Sequence, residues 1–157
     1  PSFSKSILMI LMLIGACAGS TGGGLKVARM MLLAKSLRRN ISQTLSPRKV
    51  MVVRNNGNII SEKILDNTNA YLAAYVIIIF VSYVLISLDG FDFETNLSAV
   101  LACFNNIGPG MAAVGPTCNF AAYSVFSKLI LSVNMLAGRL EIFPILVLFS
   151  RGTWRRA

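Results

Sequence analysis

Histidine is absent from the 157 residues, cysteine occurs three times and tryptophan once. Without histidine, and with Cys17, Cys103 and Cys118 far apart and in no Cys-x-x-Cys pair, a zinc-type metal site is not expected. No nucleophile–base pair stands out either, which argues against an enzyme. The cysteines read as small apolar residues at packing positions. Charge is scarce: 13% of residues carry it, against about 25% in a soluble domain. Acids are scarcer still, 6 against 15 Lys and Arg.

What the chain has instead is apolar. Hydrophobic residues make up 55% and the mean hydropathy is +0.67, which predicts several membrane-spanning segments rather than one soluble core. The formal net charge of +9 raises the question of nucleic acid. Its placement answers it: Arg and Lys gather between apolar segments and at the C-terminus, not in a stripe with aromatics, so no nucleic-acid partner is expected. The excess of basic residues in cytoplasmic loops accounts for them.

The chain starts at Pro1, without initiator Met or signal pattern, and runs straight into a membrane segment. A C-terminal piece of a longer protein is expected. Ile7–Ile14 is about half a span. After Gly15-Ala16-Cys17-Ala18-Gly19-Ser20-Thr21-Gly22-Gly23-Gly24, Leu25–Ala34 is apolar again apart from Lys26 and Arg29. Residues 1–38 are thus expected to be one spanning segment broken at 15–24. Each glycine costs a helix about 1 kcal/mol relative to Ala. Unwound backbone within a bilayer is tolerated only where it is buried in protein or lines a water-filled cavity. Close helix packing through small residues explains Gly15, Ala18 and Gly19 but not the polar, glycine-rich remainder. A phosphate-binding loop does not fit, because Leu25 and Val27 stand where Lys and Ser or Thr belong.

Residues 39–65 form a basic connection, expected to be cytoplasmic. From Lys35 to Lys63 there is one acid, Glu62. Val50–Val53 and Ile59-Ile60 flank Asn55-Asn56-Gly57-Asn58, either a small β-hairpin or a solvated loop. Ser61 and Glu62 suggest a helix start, with Asp66 as a later alternative. Residues 66–89 contain an uncharged apolar run, Ala70–Leu88, which predicts a spanning helix. Its Tyr71, Tyr75 and Tyr83 either sit near headgroups or pack against neighbours. Asp89, Asp92 and Glu94 then mark an external loop. These acids either concentrate cations by electrostatic focusing or are simply solvated.

Residues 90–110 hold a short apolar run, Leu97–Phe104, followed by Asn105-Asn106-Ile107-Gly108-Pro109-Gly110. This is either a Gly-Pro turn in an external loop or a short helix delivering backbone carbonyls to a pore mouth. Residues 111–150 return through Gly115-Pro116 and span again from Ser124 to Phe149. Arg139 lies within that span and is expected to face either a pore or a partner helix. Glu141, two residues on, does not share its helix face. Residues 151–157 form a basic cytoplasmic tail with Trp154 as an interfacial anchor.

Three blocks carry a resemblance that covers essentially the whole chain: Gly15–Lys26, Asn105–Gly110 and Leu136–Phe143. In order and spacing they resemble the TrkH/TrkG branch of the Trk/Ktr/HKT potassium transporters. The resemblance implies an all-α, multi-pass protein of the cell (inner) membrane, with four helix–pore loop–helix repeats around one pore. This chain would hold the second helix of repeat three and all of repeat four. Asn105, Asn106, Ile107, Gly108 and Pro109 match the fourth filter strand, with potassium held by the carbonyls of Asn106, Ile107 and Gly108. Gly19, Ser20, Thr21, Gly22, Gly23, Gly24 and Lys26 match a gating loop, and Arg139 matches an Arg that faces it in the pore. The family also implies a homodimer and a cytosolic, TrkA-like nucleotide-binding regulatory subunit. No cofactor is expected beyond the transported potassium. Alternatives are a sodium-permeable or weakly selective transporter, or a non-conducting membrane scaffold.

Overall fold

The computed structural model describes residues 2–15, 17, 23–46, 53–55 and 58–140. Five helices dominate: α1 (Ser2–Ile14), α2 (Val27–Leu45), α3 (Glu62–Ile86), α4 (Phe93–Phe104) and α5 (Val125–Arg139). Between α2 and α3, β1 (Arg54–Asn55) and β2 (Asn58–Ile59) pair antiparallel, Arg54 opposite Ile59 and Asn55 opposite Asn58. Short 3-10 turns cover Ser87–Asp89, Ala112–Val114 and Phe120–Ala122.

Among the described residues, one helix is long and apolar enough to cross a membrane, the run Glu62–Asp89 that contains α3. At 1.5 Å per residue its 25 helical residues reach about 38 Å, more than a hydrocarbon core of about 30 Å. Its outer face is apolar and exposed at Val76, Ile77, Phe80 and Val84. Its inner face buries Tyr71, Tyr75, Ser82 and Ile86. Ser61 stands at the N-cap with Glu62 in the first turn, but the Ser61 side chain makes no capping bond. Asp66, the alternative start, lies inside the helix.

The segment 1–38 is divided between α1, 13 residues with none buried, and α2, which runs on to Leu45, past the expected boundary. α2 turns its cations to the elements beside it. Arg29 lies over the Tyr71 ring, 4.0 Å from its centroid. Lys35 donates to the Arg54 carbonyl (3.0 Å), and Arg39 pairs with Glu62 (3.4 Å).

The centre is α4. Its 12 residues span about 18 Å, too short to cross a bilayer, yet every residue from Thr95 to Phe104 except Leu97 is buried. It packs against α5, α3 and α1. One apolar cluster joins Ile86, Val100, Cys103, Val114, Tyr123 and Leu131. A second joins Leu25, Tyr71, Tyr75, Phe104 and Ala137. Of the three cysteines only Cys103 is a packing residue. Cys17 and Cys118 are exposed, so the sequence-based reading of all three as packing positions is corrected.

The acids between α3 and α4 have structural partners that sequence distance hides. Asp89 accepts the Ser124 amide (2.9 Å), and Glu94 pairs with Lys5 of α1 (2.8 Å). Asp92 caps α4, accepting the Thr95 hydroxyl (2.5 Å) and the Thr95 amide (3.3 Å). The Thr95 hydroxyl bond is the main reason the Asp92 carboxyl sits below the usual carboxylate range. A carboxyl depressed in the folded state stabilises fully above its unfolded pKa of about 4, and that stability is lost as pH falls through the folded value. Asp92→Asn is therefore expected to lower the melting temperature of the purified full-length protein at neutral pH. The gap to the parent should close below about pH 4; a gap of constant size would assign Asp92 a packing role instead.

Candidate functional site

At the C-terminus of α4 the chain leaves the helix in two steps. Asn105 and Asn106 form a turn, and Asn106 takes the left-handed region at φ 54°. The turn is held from three sides. The Asn106 amide donates to the Cys103 carbonyl (3.2 Å) and the Ile107 amide to Ala102 (2.9 Å). Asn106 Nδ2 donates to the Met135 carbonyl of α5 (3.2 Å). Ile107, Gly108 and Pro109 then run exposed, and Gly110 is buried again. The Gly110 amide donates to Val114 (2.8 Å), and Ser98 Oγ accepts the Met111 amide (2.9 Å). Residues 107–109 are thus an exposed bridge between two anchored ends. Among the described residues, the carbonyls of Asn106, Ile107 and Gly108 accept no backbone hydrogen bond from another segment.

Asn105 is different from the residues it was grouped with. It is buried, 3% exposed, and its carbonyl accepts the Gly23 amide (3.1 Å). Its Nδ2 donates to the Met12 carbonyl (2.6 Å), and the Tyr75 hydroxyl donates to its Oδ1 (3.1 Å). Asn105 thus stands apart from Ile107–Pro109, which are exposed. Its polar groups are spent inside the protein, joining α1, α3 and the residues before α2.

The glycine-rich block meets this turn. Gly19, Ser20, Thr21 and Gly22 lie outside the described residues. Gly23 and Gly24 are buried and run beside Phe104 and Asn105. Lys26, half-buried at φ 56°, stands at the N-cap of α2. Arg139 is exposed in the last turn of α5, and Glu141 lies outside the described residues. Gly138, next to Arg139, closes the arrangement. A methyl group there would overlap the Phe104 carbonyl, whose carbon lies 2.8 Å away. The end of α5, the end of α4 and the glycine block therefore meet backbone to backbone. Sequence reasoning missed Gly138 as the contact point, although the Ala137-Gly138 pair is the kind of small-residue signal that marks close approach.

Two glycines of the site should fail for different reasons. Gly138→Ala is expected to destabilise the full-length protein by about 3 kcal/mol or more, because helix backbone has to move to admit the methyl group. At Gly108 a methyl group meets nothing within 4 Å, but φ is 103°. Gly108→Ala should therefore cost about 1–3 kcal/mol through backbone strain alone. Thermal melts of the purified variants separate the two. Equal melting temperatures for Gly138→Ala and the parent would contradict the close approach.

Comparisons with known proteins identify the family. A family model described as TrkH, a cation transport protein, matches residues 1–154. The Trk system potassium uptake protein TrkH of Salmonella typhimurium is 39% identical over 155 residues, covering 99% of this chain and 32% of its own length. TrkG of Escherichia coli is 30% identical with the same coverage. The crystal structure of the potassium transporter TrkH from Vibrio parahaemolyticus superposes with a TM-score of 0.87 at 35% identity, over 98% of this chain and 32% of that one. The chain thus spans about a third of the length of these relatives. On a family model that matches residues 1–154 and on relatives aligned over 99% of this chain, it belongs to the TrkH family of cation transport proteins.

Proposed function

We propose that this chain contributes the last part of the pore of a multi-pass potassium-uptake protein in the cell (inner) membrane. α1 and α2 serve as the second helix of repeat three, interrupted by residues 15–24. α3, α4 with residues 105–110, and α5 make up repeat four. The observation that carries this reading is α4, a buried helix too short to span, which ends in an exposed bridge whose carbonyls accept no backbone hydrogen bond among the described residues. Such a bridge replaces the hydration shell of a dehydrating cation. Asn106, Ile107 and Gly108 supply the oxygens on this side, with the other repeats supplying the rest. The relatives carry potassium uptake in their names, and no covalent step is proposed.

The gate is the loop Gly19–Gly24 with Lys26 and Arg139. Arg139 follows the residue that abuts the Phe104 carbonyl, so its charge sits near the level where the filter strand begins. A fixed positive charge beside the path raises the electrostatic cost of a passing cation. The basic sequence of the connection 39–65 and of residues 151–157 is the proposed cytoplasmic docking region for a nucleotide-binding regulatory subunit of the TrkA kind. A homodimer is the proposed assembly.

The full-length protein is expected to restore growth at low external potassium in cells lacking potassium uptake, and to carry potassium flux in liposomes. Absence of both would end this reading. Arg139→Ala should raise flux through the closed state about tenfold, measured in liposomes without the regulatory subunit. Poor yield with normal closed-state flux would instead make Arg139 a purely structural residue.

A further inference from the structure

The exposed bridge after α4 is tied at both ends to one ridge of that helix. Ala102 and Ser98 stand one turn apart on the same face. At the inner end the Ile107 amide donates to the Ala102 carbonyl (2.9 Å). At the outer end the Met111 amide donates to Ser98 Oγ (2.9 Å), and the Ser98 hydroxyl donates in turn to the Thr95 carbonyl (3.2 Å). Thr95 Oγ1 adds a longer contact, accepting the Ala113 amide at 3.4 Å. Ser98 and Thr95 are 0% exposed, and Met111 is buried. Gly110 fits closely over the same anchor: a methyl group there would lie 2.6 Å from Val114 Cγ2 and 3.2 Å from Ser98 Oγ. Four positions separate Ser98 from Ala102, and four separate Ile107 from Met111. Along the helix axis four residues cover about 6 Å; as extended chain they reach roughly 13 Å. The bridge therefore has surplus length and bows away from α4. Exposed Ile107, Gly108 and Pro109 and the left-handed backbone of Gly108 (φ 103°) are where it does so.

We propose that Ser98 is a positioning residue for ion selection: its hydroxyl pins the outer end of the bridge and so keeps the bow at the width that suits potassium rather than sodium. This rests on the transport reading above. Sodium is the smaller ion, and oxygens that replace its hydration shell have to draw closer together. A bridge free at one end can contract around it. A bridge pinned at both ends to a single helix resists that contraction. The pin holds because Met111 is buried, so an amide released from Ser98 loses its bond without water to replace it. A serine inside a helix ordinarily bonds back to its own preceding turn, as Ser98 does with Thr95. Its oxygen keeps acceptor capacity, and packing of the return segment puts that capacity to use.

In the full-length protein in liposomes, Ser98→Ala is expected to lower the ratio of potassium to sodium flux by about fivefold, the order set by one ordinary hydrogen bond. Gly110→Ala disturbs the same anchor from the other side and should lower the ratio as well. An unchanged ratio in either folded variant overturns the proposal; for Ser98→Ala, a lower melting temperature with the parental ratio would make the hydroxyl a purely structural group. If neither variant folds, hydrogen exchange in the parent decides. The Met111 amide should be protected equally in potassium and in sodium, because the pin holds against both ions. Exchange about threefold faster or more in sodium would show the bridge yielding at this end, and the proposal would fall. Failure of the transport reading is separate, since the parent would then carry no potassium flux.

Discussion

A peptide group released from helical pairing inside a membrane protein has to find its partner in the protein itself. Much of this structure follows from that constraint. α1 stops after Ile14 and α4 after Phe104; the residues that follow take up the Leu11, Leu101, Ala102 and Cys103 carbonyls, and others are left for partners elsewhere in the protein. The two sets of orphans are placed against each other. Asn105 supplies a donor to α1 and an acceptor to Gly23, and α3 lends two tyrosine hydroxyls where one more donor is required on each side. The apolar cluster of Leu25, Tyr71, Tyr75, Phe104 and Ala137 excludes water from the same place. Tyr75 meets Phe104 edge-on, with ring centroids 5.1 Å apart.

Small residues make that arrangement geometrically possible. With no side chain at Gly23 or Gly138, two backbones, that before α2 and that of α5, approach the Phe104 carbonyl. The outer end of α4 is held by a different chemistry, through the Asp92 cap, the Lys5–Glu94 pair and the Tyr123 hydroxyl on Asn96 (2.8 Å). A short helix fixed at both ends is a firm base from which to hold residues 107–109 open. That division, rigid behind and open in front, suits a strand whose proposed work is to present oxygens to a passing ion rather than to bind one tightly.

Much of the layout was legible from local signals. The uncharged run Ala70–Leu88 marks α3 because a stretch of that length has few other uses. The glycine block marks an interruption because three consecutive glycines oppose a helix. The Asp92 cap is not among the sequence-based expectations, which place Asp92 with the acids of an external loop, although Asp before a first turn is an ordinary preference. Boundaries were less legible: α2 continues to Leu45 because its basic residues find partners in Tyr71, Glu62 and the Arg54 carbonyl, none of which is near in sequence. The loop acids looked free of basic neighbours for the same reason, since Lys5 stands 89 positions from Glu94.

By itself the sequence determined which segments are apolar enough to leave water, where helices cannot continue, and which family the three glycine-containing blocks belong to. These are properties of composition and short-range spacing. Only the tertiary structure decided that Asn105 turns inward while Ile107–Pro109 turn outward. It alone brought Gly138 against the Phe104 carbonyl and buried Tyr71 and Tyr75 with their hydroxyls at the Gly24 and Leu13 carbonyls. The reason is physical: a side chain's role as donor, cap or spacer depends on which distant backbone group lacks a partner, and that is settled only when the helices pack.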